Sequence, residues 1–349
     1  MKKKTLMLTT VAAAAALAFT ACSSDEPAEV NHGSAISFRP ALTRATETTN
    51  ANLTQINVAA FLGNSLYFRP LAFVKGSDSY FESTPTYNWP GDDSELSFYA
   101  YAPGTPGGTL TMTTDAKTLT GFSPATDPAQ QVDFITSQAT GRRSVNESTG
   151  VPLTFNHQLS QIEVTAKSDN TAYTYAITGV RIGNPVSTGD FDFNTSAWTL
   201  GTNKAIYEET YTTPKTLGST PVSIMGDEGA MMLIPQTLTA WNHSSDPSNS
   251  SGGAYISIKL QINTVDGAQV YPFPSDGDCQ WAAIELPDTW EAGKKYVYNL
   301  DLTHGAGYVD PHDPKPGDPV LGGPIKFTVD VQNWNDSTQD LPMDTDTTK

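Results

Sequence analysis

The chain has 349 residues, of which 20 are Lys or Arg and 37 are Asp or Glu, so its formal net charge is −17. Such an acidic chain is repelled by phosphate backbones and anionic lipid heads, which argues against nucleic acid as a partner. It contains two cysteines, too few for a disulfide scaffold, but it is long enough to bury one or two hydrophobic cores.

The N-terminus has the pattern of an export signal. Lys2–Lys4 form a positive segment, residues 6–19 are mostly apolar, and small residues precede Cys22. This apolar stretch is too short to span a membrane as a helix, so we predict a signal peptide over residues 1–21.

A cysteine at the cleavage point resembles the bacterial lipobox, whose cysteine is lipidated after cleavage. Phe19 stands where that motif usually has Leu. We predict lipidation of Cys22, with ordinary secretion and an incidental cysteine as the alternative. Polar residues 22–34 would then be a flexible tether. Cys279 would be left alone, so no intramolecular disulfide is expected.

Short apolar or alternating runs separated by Thr, Ser, Gly, Pro, Asn and Asp follow the signal, a pattern typical of an all-β sandwich or barrel. Alternation is clean in "LSFYAYA" (96–102), "YISIKLQI" (255–262) and "YVYNLDL" (296–302). A period of two predicts half-buried strands with one face in water. In the second run, Tyr255 and Ser257 belong to that wet face.

One segment changes phase. Its apolar residues lie at odd positions from Val151 to Leu159 and at even positions from Ile162 to Ala166. This shift predicts either a β-bulge or a strand that crosses from one packed surface to another.

About seven or eight candidate strands precede residue 150 and a similar number follow it. One sandwich needs about seven strands in about 100 residues, so two tandem β-sandwich domains are predicted, over 45–150 and 151–349. The loops at 241–253 and 305–324 are too rich in Pro, Gly and Ser for regular structure.

No catalytic or metal-binding motif is present. The five histidines are scattered, and no H-E-x-x-H, G-x-S-x-G, C-x-x-C or glycine-rich phosphate loop occurs. Asp310, His312, Asp313 and Asp318 share one loop, but their spacing matches no calcium loop. His157 has apolar neighbours, which predicts a packed, hydrogen-bonded side chain. We therefore expect no enzyme activity, no catalytic residue, no metal and no cofactor.

The first and last predicted strands share an apolar ladder. In "SAISFRPAL" (34–42) one face carries Ile36, Phe38, Pro40 and Leu42. In "IKFTVDVQNW" (325–334) one face carries Ile325, Phe327, Val329 and Val331. Pro40 cannot donate a backbone hydrogen bond, which predicts an edge strand. The two strands can fill a similar groove, or each can be the terminal strand of its own sheet.

Four segments in order are similar to the fimbrillin family, the Mfa-like or FimA-like subunits of type V pili. They are "PLTFNHQLSQIEV" (152–164), "MMLIPQTL" (231–238), "WEAGKKYVYNLDL" (290–302) and "IKFTVDVQNWND" (325–336). The resemblance implies two transthyretin-like (Ig-like) β-sandwich domains, exported to the outer membrane as a lipoprotein precursor and then built into a fimbria on the cell surface.

The resemblance also implies maturation by an arginine-specific protease. Residues 22–44 would hold the tether and a propeptide strand. Cleavage after Arg44 would remove that strand with Ile36, Phe38 and Leu42, and strand 325–334 of a neighbouring fimbrial subunit would fill the groove. Arg39 is the alternative cleavage residue, but a cut there would leave Leu42 on the body.

Two rival functions come from other classes. The first is a surface lipoprotein that stays anchored and binds a glycan or host protein through its loops, without polymerising. Its sugar platforms would be Trp89, Trp198, Trp241 and Trp281. The second is a surface hydrolase.

Overall fold

The computed structural model describes residues 34–42, 53–226, 230–272 and 279–334, with the backbone alone at 41 and 42. A short 3-10 helix covers Pro128–Gln130, and helix α1 covers Arg143–Asn146. The first strands are β1 Phe38–Leu42, β2 Gln55–Leu62, β3 Ser65–Lys75, β4 Phe81–Ser83, β5 Leu96–Ala102, β6 Thr109–Met112, β7 Lys117–Phe122, β8 Ile135–Gly141 and β9 Val151–His157.

Thirteen further strands follow in the described part of the chain, so the predicted all-β fold class is confirmed. They are β10 Ser160–Lys167, β11 Tyr173–Val186, β12 Gly189–Asp192, β13 Ala197–Leu200, β14 Lys204–Thr216, β15 Val222–Met225, β16 Met231–Leu233, β17 Tyr255–Thr264, β18 Gln269–Tyr271, β19 Gln280–Glu285, β20 Lys294–Asp301, β21 Tyr308–Val309 and β22 Lys326–Asn333.

Seven early strands close into a barrel in the order β1-β4-β3-β2-β5-β8-β9. Strand β1 runs parallel to β9 over five residue pairs, from Phe38 opposite Val151 to Leu42 opposite Phe155. On its other side β1 meets β4 at one pair, Phe38 opposite Phe81. The N-terminal strand therefore closes the barrel.

The edge position predicted from Pro40 is partly wrong. At Phe38 the strand has neighbours on both sides, because the barrel closes there. From Arg39 to Leu42 the only strand partner within the described ranges is β9. A residue without a backbone N–H is tolerated at such a one-sided position.

Phe38 lies at the centre of the barrel core. Its side chain is 0% exposed, and its ring makes edge-on contacts with Phe73 at 4.7 Å and Phe98 at 5.0 Å between centroids. Buried aromatic rings contribute more to stability than any other single side chains in such a core. The strand predicted to be removed is thus a major part of the fold of the precursor.

We expect Phe38→Ala to lower the free energy of unfolding of the precursor by about 3–5 kcal/mol, because the truncation leaves a cavity between two rings. Val331→Ala is the comparison, since Val331 is 55% exposed; its cost should stay below about 1 kcal/mol. Urea unfolding followed by tryptophan fluorescence measures both. Equal costs for the two variants would contradict a core role for Phe38.

The C-terminal part is a sandwich of two sheets. One contains β15-β10-β20-β22, with β16 also paired to β10, and the other contains β14-β11-β17-β19-β21, with β18 also paired to β17. Apolar side chains of both sheets meet in one core, among them Ile162, Val164, Ile177, Val180, Ile256, Ile258, Leu260, Tyr298 and Leu300. The predicted β-sandwich architecture is confirmed.

A separate four-stranded sheet joins segments from the earlier and later parts of the chain. Its order is β13-β12-β7-β6, so the later hairpin β12–β13 pairs with β7 from the earlier part. The junction cluster beneath it consists of Ala59, Phe61, Tyr101, Met112, Leu119, Phe122, Phe134, Leu159, Phe191, Phe193, Met232, Ile234 and Trp334. The domain division at residue 150 stays a prediction; β9, which follows that residue, belongs to the barrel.

The phase change after Leu159 is a crossing between packed surfaces, the second of the two predicted causes. Val151, Leu153 and Phe155 on β9 face the barrel core. Leu159 belongs to the junction cluster, and β10 begins the sandwich core at Ile162. The two-residue step from His157 to Ser160 changes sheets, and the apolar parity changes with it.

The wet face predicted for β17 is wrong at Tyr255 and Ser257, whereas Lys259 and Gln261 on the same face are half-buried. Tyr255 and Ser257 are both 0% exposed, because the loops at 241–253 and 305–324 cover that side of the sheet. Trp241 and Tyr308 from these loops pack with Tyr255 and Ala283 in a small apolar cluster. The outer surface of β17 around Tyr255 and Ser257 is therefore a second small core. The 305–324 segment that covers it contains the short strand β21, so the prediction of no regular structure there is wrong at Tyr308 and Val309.

Candidate functional site

The predicted displaced strand is bound tightly in the barrel. Ile36 and Phe38 are 1% and 0% exposed. The Ile36 N–H donates to the Tyr87 carbonyl at 2.8 Å, and the Val151 N–H donates to the Ser37 carbonyl at 2.9 Å. Backbone and side chains both hold β1, so its removal would leave a deep apolar groove and an unpaired edge on β9.

The predicted lipidation residue Cys22 and cleavage residue Arg44 lie outside the described residues, as does the side chain of Leu42. Arg39, the alternative cleavage residue, is half-buried within β1. The roles of these residues stay predictions.

The predicted donor strand β22 is the outermost strand of its sheet. It pairs antiparallel with β20 over eight positions, from Lys326 opposite Asp301 to Asn333 opposite Lys294. Its other side has no strand partner in the part of the chain that the structure describes. Half of the backbone hydrogen-bonding capacity of β22 is thus open to another strand.

Burial along the β22 ladder falls steadily toward its end. Ile325 is 5% exposed, Phe327 and Val329 are half-buried against the sandwich core, and Val331 is 55% exposed. An open hollow of about 520 Å³ runs beside the strand, with Leu300 and Phe327 in its lining. Since native cores are close-packed, this strand is held less completely than β1.

Polar cross-strand contacts hold the outward side of β22. The Asn299 side-chain amide donates to Asp330 Oδ2 at 2.8 Å, and Lys294 Nζ donates to Asn333 Oδ1 at 2.6 Å. Exposed polar contacts of this kind contribute little, because water competes for both partners.

The structure places β1 and β22 in different sheets, and the two strands do not pair with each other. They are connected through β9, which is the parallel neighbour of β1. His157 at the end of β9 stacks on Trp334, the residue after β22, with ring centroids 4.5 Å apart. His157 is 3% exposed and its Nδ1 lies 2.9 Å from Asp133 Oδ1, which confirms the prediction of a packed, hydrogen-bonded histidine.

The acidic loop at 305–324 is anchored by a buried ion pair. Arg181 Nη2 on β11 donates to Asp310 Oδ1 at 2.6 Å, and Asp310 is 0% exposed. The Ser257 hydroxyl donates to the other carboxylate oxygen, and the His312 N–H donates to Asp310 Oδ1 at 2.9 Å. The Arg181 guanidinium also stacks over the Trp281 ring at 4.2 Å. Sequence alone does not pair two residues 129 positions apart.

Burial by itself would raise the pKa of Asp310, but the hydrogen bonds and positive charge of Arg181, together with Ser257, outweigh it and hold that pKa below its ordinary value. A lowered carboxyl pKa stabilises the folded state above the unfolded pKa of about 3.9. This contribution is lost as the pH falls below that value toward the folded pKa.

We expect Asp310→Asn to lower the free energy of unfolding by about 3–5 kcal/mol at neutral pH, because it leaves the Arg181 charge buried without a counter-charge. The difference from wild type should shrink as the pH falls from about 4 toward the lowered folded pKa, because the unfolded chain then binds a proton that the folded carboxylate does not. Asp318→Asn in the same loop is the control, since Asp318 is exposed. Urea titrations at pH 7 and pH 3 measure both; a constant difference would contradict the ion pair.

The described residues contain no group of three or more His, Cys, Asp or Glu placed to hold a metal ion. Cys279 is a free thiol there. Three of the four tryptophans proposed as sugar platforms are buried, namely Trp89, Trp241 and Trp281. Trp198 is half-buried, and its Nε1–H donates to the Gln158 carbonyl at 2.7 Å. No helix in the described ranges is both long and apolar enough to span a bilayer.

The fold is similar to those of solved proteins. A fimbrial protein from Bacteroides vulgatus aligns with a TM-score of 0.58 at 18% identity, covering 85% of this chain and 99% of that one. Proteins assigned to cell adhesion from Bacteroides uniformis and Bacteroides ovatus align with TM-scores of 0.46 and 0.47 at 15% and 16% identity. Each alignment covers 86% of this chain, and 98% and 97% of the other chains.

No curated protein matches the sequence. The family model described as fimbrillin-like matches residues 43–334, which is most of the chain and begins directly after β1. This family is of a structural rather than a catalytic kind and implies a location at the cell surface. The chain therefore belongs to the fimbrillin-like family.

Proposed function

We propose that the chain is a structural and adhesive subunit of a cell-surface fimbria, exported as a lipoprotein on Cys22, cleaved after Arg44 and polymerised by donor-strand exchange. One observation carries the proposal: the first strand fills the barrel core, whereas the last strand is a weakly held edge with a matching apolar ladder. The lipid would keep the precursor at the outer membrane until an arginine-specific protease acts.

The match between the two strands supports the exchange. Ile36, just before β1, and Phe38, its first residue, lie in the barrel core at a spacing of two residues. Strand 325–334 repeats that spacing with Ile325, Phe327, Val329 and Val331. Four such side chains, fully buried in a neighbour, would contribute roughly 1.5–3 kcal/mol each.

The exchange is expected to be favourable, because the donor strand gains strand neighbours and apolar burial in the groove. Among the described residues of its own subunit, β22 has one strand partner and leaves Val331 mostly in water. In the groove left by β1 it would pair with β9 along its length and with β4 at one position, with its ladder buried. A strand that gains a second neighbour and more apolar burial binds by β-augmentation.

The groove becomes available only after cleavage, because β1 is covalently attached to the barrel until then. While β1 belongs to the same chain, its effective concentration at the groove exceeds that of any free strand, so the precursor cannot accept a donor. The family match begins at residue 43, directly after β1, which supports treating β1 as a segment separate from the mature body.

The backbone conformation just before β22 supports the proposal that this strand can swing out as a unit. Leu321, Gly322 and Gly323 have φ angles of 50°, 85° and 151°, and Pro324 follows. Glycine reaches such angles at little cost and allows large backbone rotations. Asp310 would hold the preceding loop to its own subunit, so residues from about 322 onwards would swing out.

The test is cleavage of the purified precursor with an arginine-specific protease. Ala45 as the new N-terminus, followed by oligomers that resist SDS, is the expected result. A clipped protein that stays monomeric would overturn donor-strand exchange, and an N-terminus at Cys22 in protein taken from the cell surface would overturn the processing step.

A further inference from the structure

The end of β22 is held differently from the rest of the strand. Five of its eight residues are exposed and its outer edge is unpaired within the described ranges. Trp334, the next residue, is 3% exposed and belongs to the junction cluster rather than to the sandwich core. The strand is therefore anchored at both ends, by Ile325 in the sandwich core and by Trp334 in the junction cluster.

The Trp334 anchor lies against the barrel. The Trp334 ring stacks on His157 with an interplanar angle of 13°. The backbone N–H of Trp334 donates to the Gly293 carbonyl at 2.9 Å. The imidazole is oriented by Asp133, whose Oδ1 lies 2.9 Å from Nδ1. The Trp334 anchor thus rests on β9, the strand that forms one wall of the β1 groove.

The contact is a close ring stack that is incomplete in hydrogen bonding. Trp334 Nε1 and His157 Nε2 are both buried, and neither has a hydrogen-bond partner among the described residues. Buried polar atoms without partners destabilise the state that buries them. Stacking and burial oppose that cost, so the ring is seated without a directional polar bond and can leave as a unit.

Strand β9 itself depends on β1. It pairs with β8 at two positions, Ile135 opposite His157 and Thr136 opposite Asn156, and with β1 at five. Removal of β1 would leave the outer edge of β9 unpaired up to two residues from His157. The support of the Trp334 ring is then tied to the occupancy of the groove.

We infer that Trp334 is a latch that holds β22 on its own subunit, and that loss of β1 from β9 loosens this latch. The inference rests on the proposed function, because it assigns the latch to the release of the donor strand. Groove opening and strand release then become two results of one cleavage. A precursor with β1 in place would neither accept nor present a strand.

Hydrogen exchange of the intact, uncleaved precursor tests the latch directly. Trp334→Phe should speed exchange of the β22 amides by about fivefold, and Trp334→Ala by more, because one anchor of the strand is weakened. Trp198→Phe is the matched control: Trp198 packs on the same cluster, and its ring contacts are with Phe122, Phe134 and Phe191. In the Trp198→Phe variant, the β22 amides should exchange at rates within about twofold of those in wild type. Equal acceleration in both Phe variants, or none in Trp334→Phe, would overturn the inference.

Coupling to β1 needs a second comparison. Exchange at β22 should rise by about tenfold or more when the protein is clipped and β1 is removed, measured at low concentration before oligomers form. Unchanged exchange at β22 would overturn the coupling. Amides of β17 serve as the internal reference, since their sheet lacks both strands. These readouts do not require polymers, so a monomeric clipped protein with a loosened β22 would contradict donor-strand exchange and keep the latch.

Discussion

Replacing Arg44 by Ala is expected to prevent oligomer formation after treatment with an arginine-specific protease, whereas wild-type precursor is expected to form SDS-resistant oligomers. Without a cut between β1 and the body, Ile36 and Phe38 stay in the barrel core, both at most 1% exposed. A donor strand then has no groove to enter. We expect the oligomeric fraction to fall at least about tenfold, because the attached strand outcompetes a free one.

Gel filtration, unheated SDS gels and intact mass measure this result together. Arg39→Ala is the matched control: it should still be cut at Arg44 and still form oligomers. The masses separate the two candidate sites, since cleavage after Arg39 would leave residues 40–44 on the body. Oligomers from Arg44→Ala equal to those of wild type would overturn Arg44 as the processing residue.

Locking β22 to β20 with a disulfide is expected to block assembly of the clipped protein reversibly. Asn299 and Thr328 lie opposite each other on these strands. Opposed residues of antiparallel strands have Cα atoms about 4.5–5.5 Å apart, within the range that a disulfide spans. Asn299→Cys with Thr328→Cys, in a Cys279→Ser background, would hold the donor strand on its own subunit.

The oxidised, clipped variant should remain at least about 90% monomeric, since an edge strand that cannot leave cannot be donated. Reduction should restore wild-type oligomers, which makes the variant its own control. A second lock between β11 and β17, with Thr174→Cys and Asn263→Cys at an opposed pair, should not affect assembly. Oligomers from the oxidised β22 lock would show that β22 is not the donor.

Strand existence and the direction of most apolar side chains were predictable from sequence. The odd positions of β9 and the even positions of β10 are buried as their alternation predicts, and the phase change marks the crossing between sheets. The physical reason is local: a strand alternates its side chains with a period of two whatever it pairs with. Pro40 likewise indicated a one-sided position from its own missing N–H.

Partners across the fold were not predictable in this way. Tyr255 and Ser257 are buried because two loops cover β17, and loops of Pro, Gly and Ser carry no periodic signal that tells where they pack. Arg181 and Asp310 form an ion pair although 129 positions separate them in the sequence. Trp334 is the last residue of segment 325–334. No sequence pattern beside Trp334 or beside His157 predicts the contact between them. A tryptophan just beyond an exposed strand is a pattern worth testing in such chains.

The amino-acid sequence by itself determined the all-β fold class, the two matched apolar ladders and the absence of recognised catalytic motifs, because composition and alternation act over a few residues. The tertiary structure was needed to show that β1 completes the barrel core, that β22 is the outermost strand of its sheet among the described residues, and that β9 pairs with β1 and contacts Trp334 after β22. The pairings of β1 with β9 and of β10 with β20 join residues more than 100 positions apart, and such pairings depend on how whole strands pack.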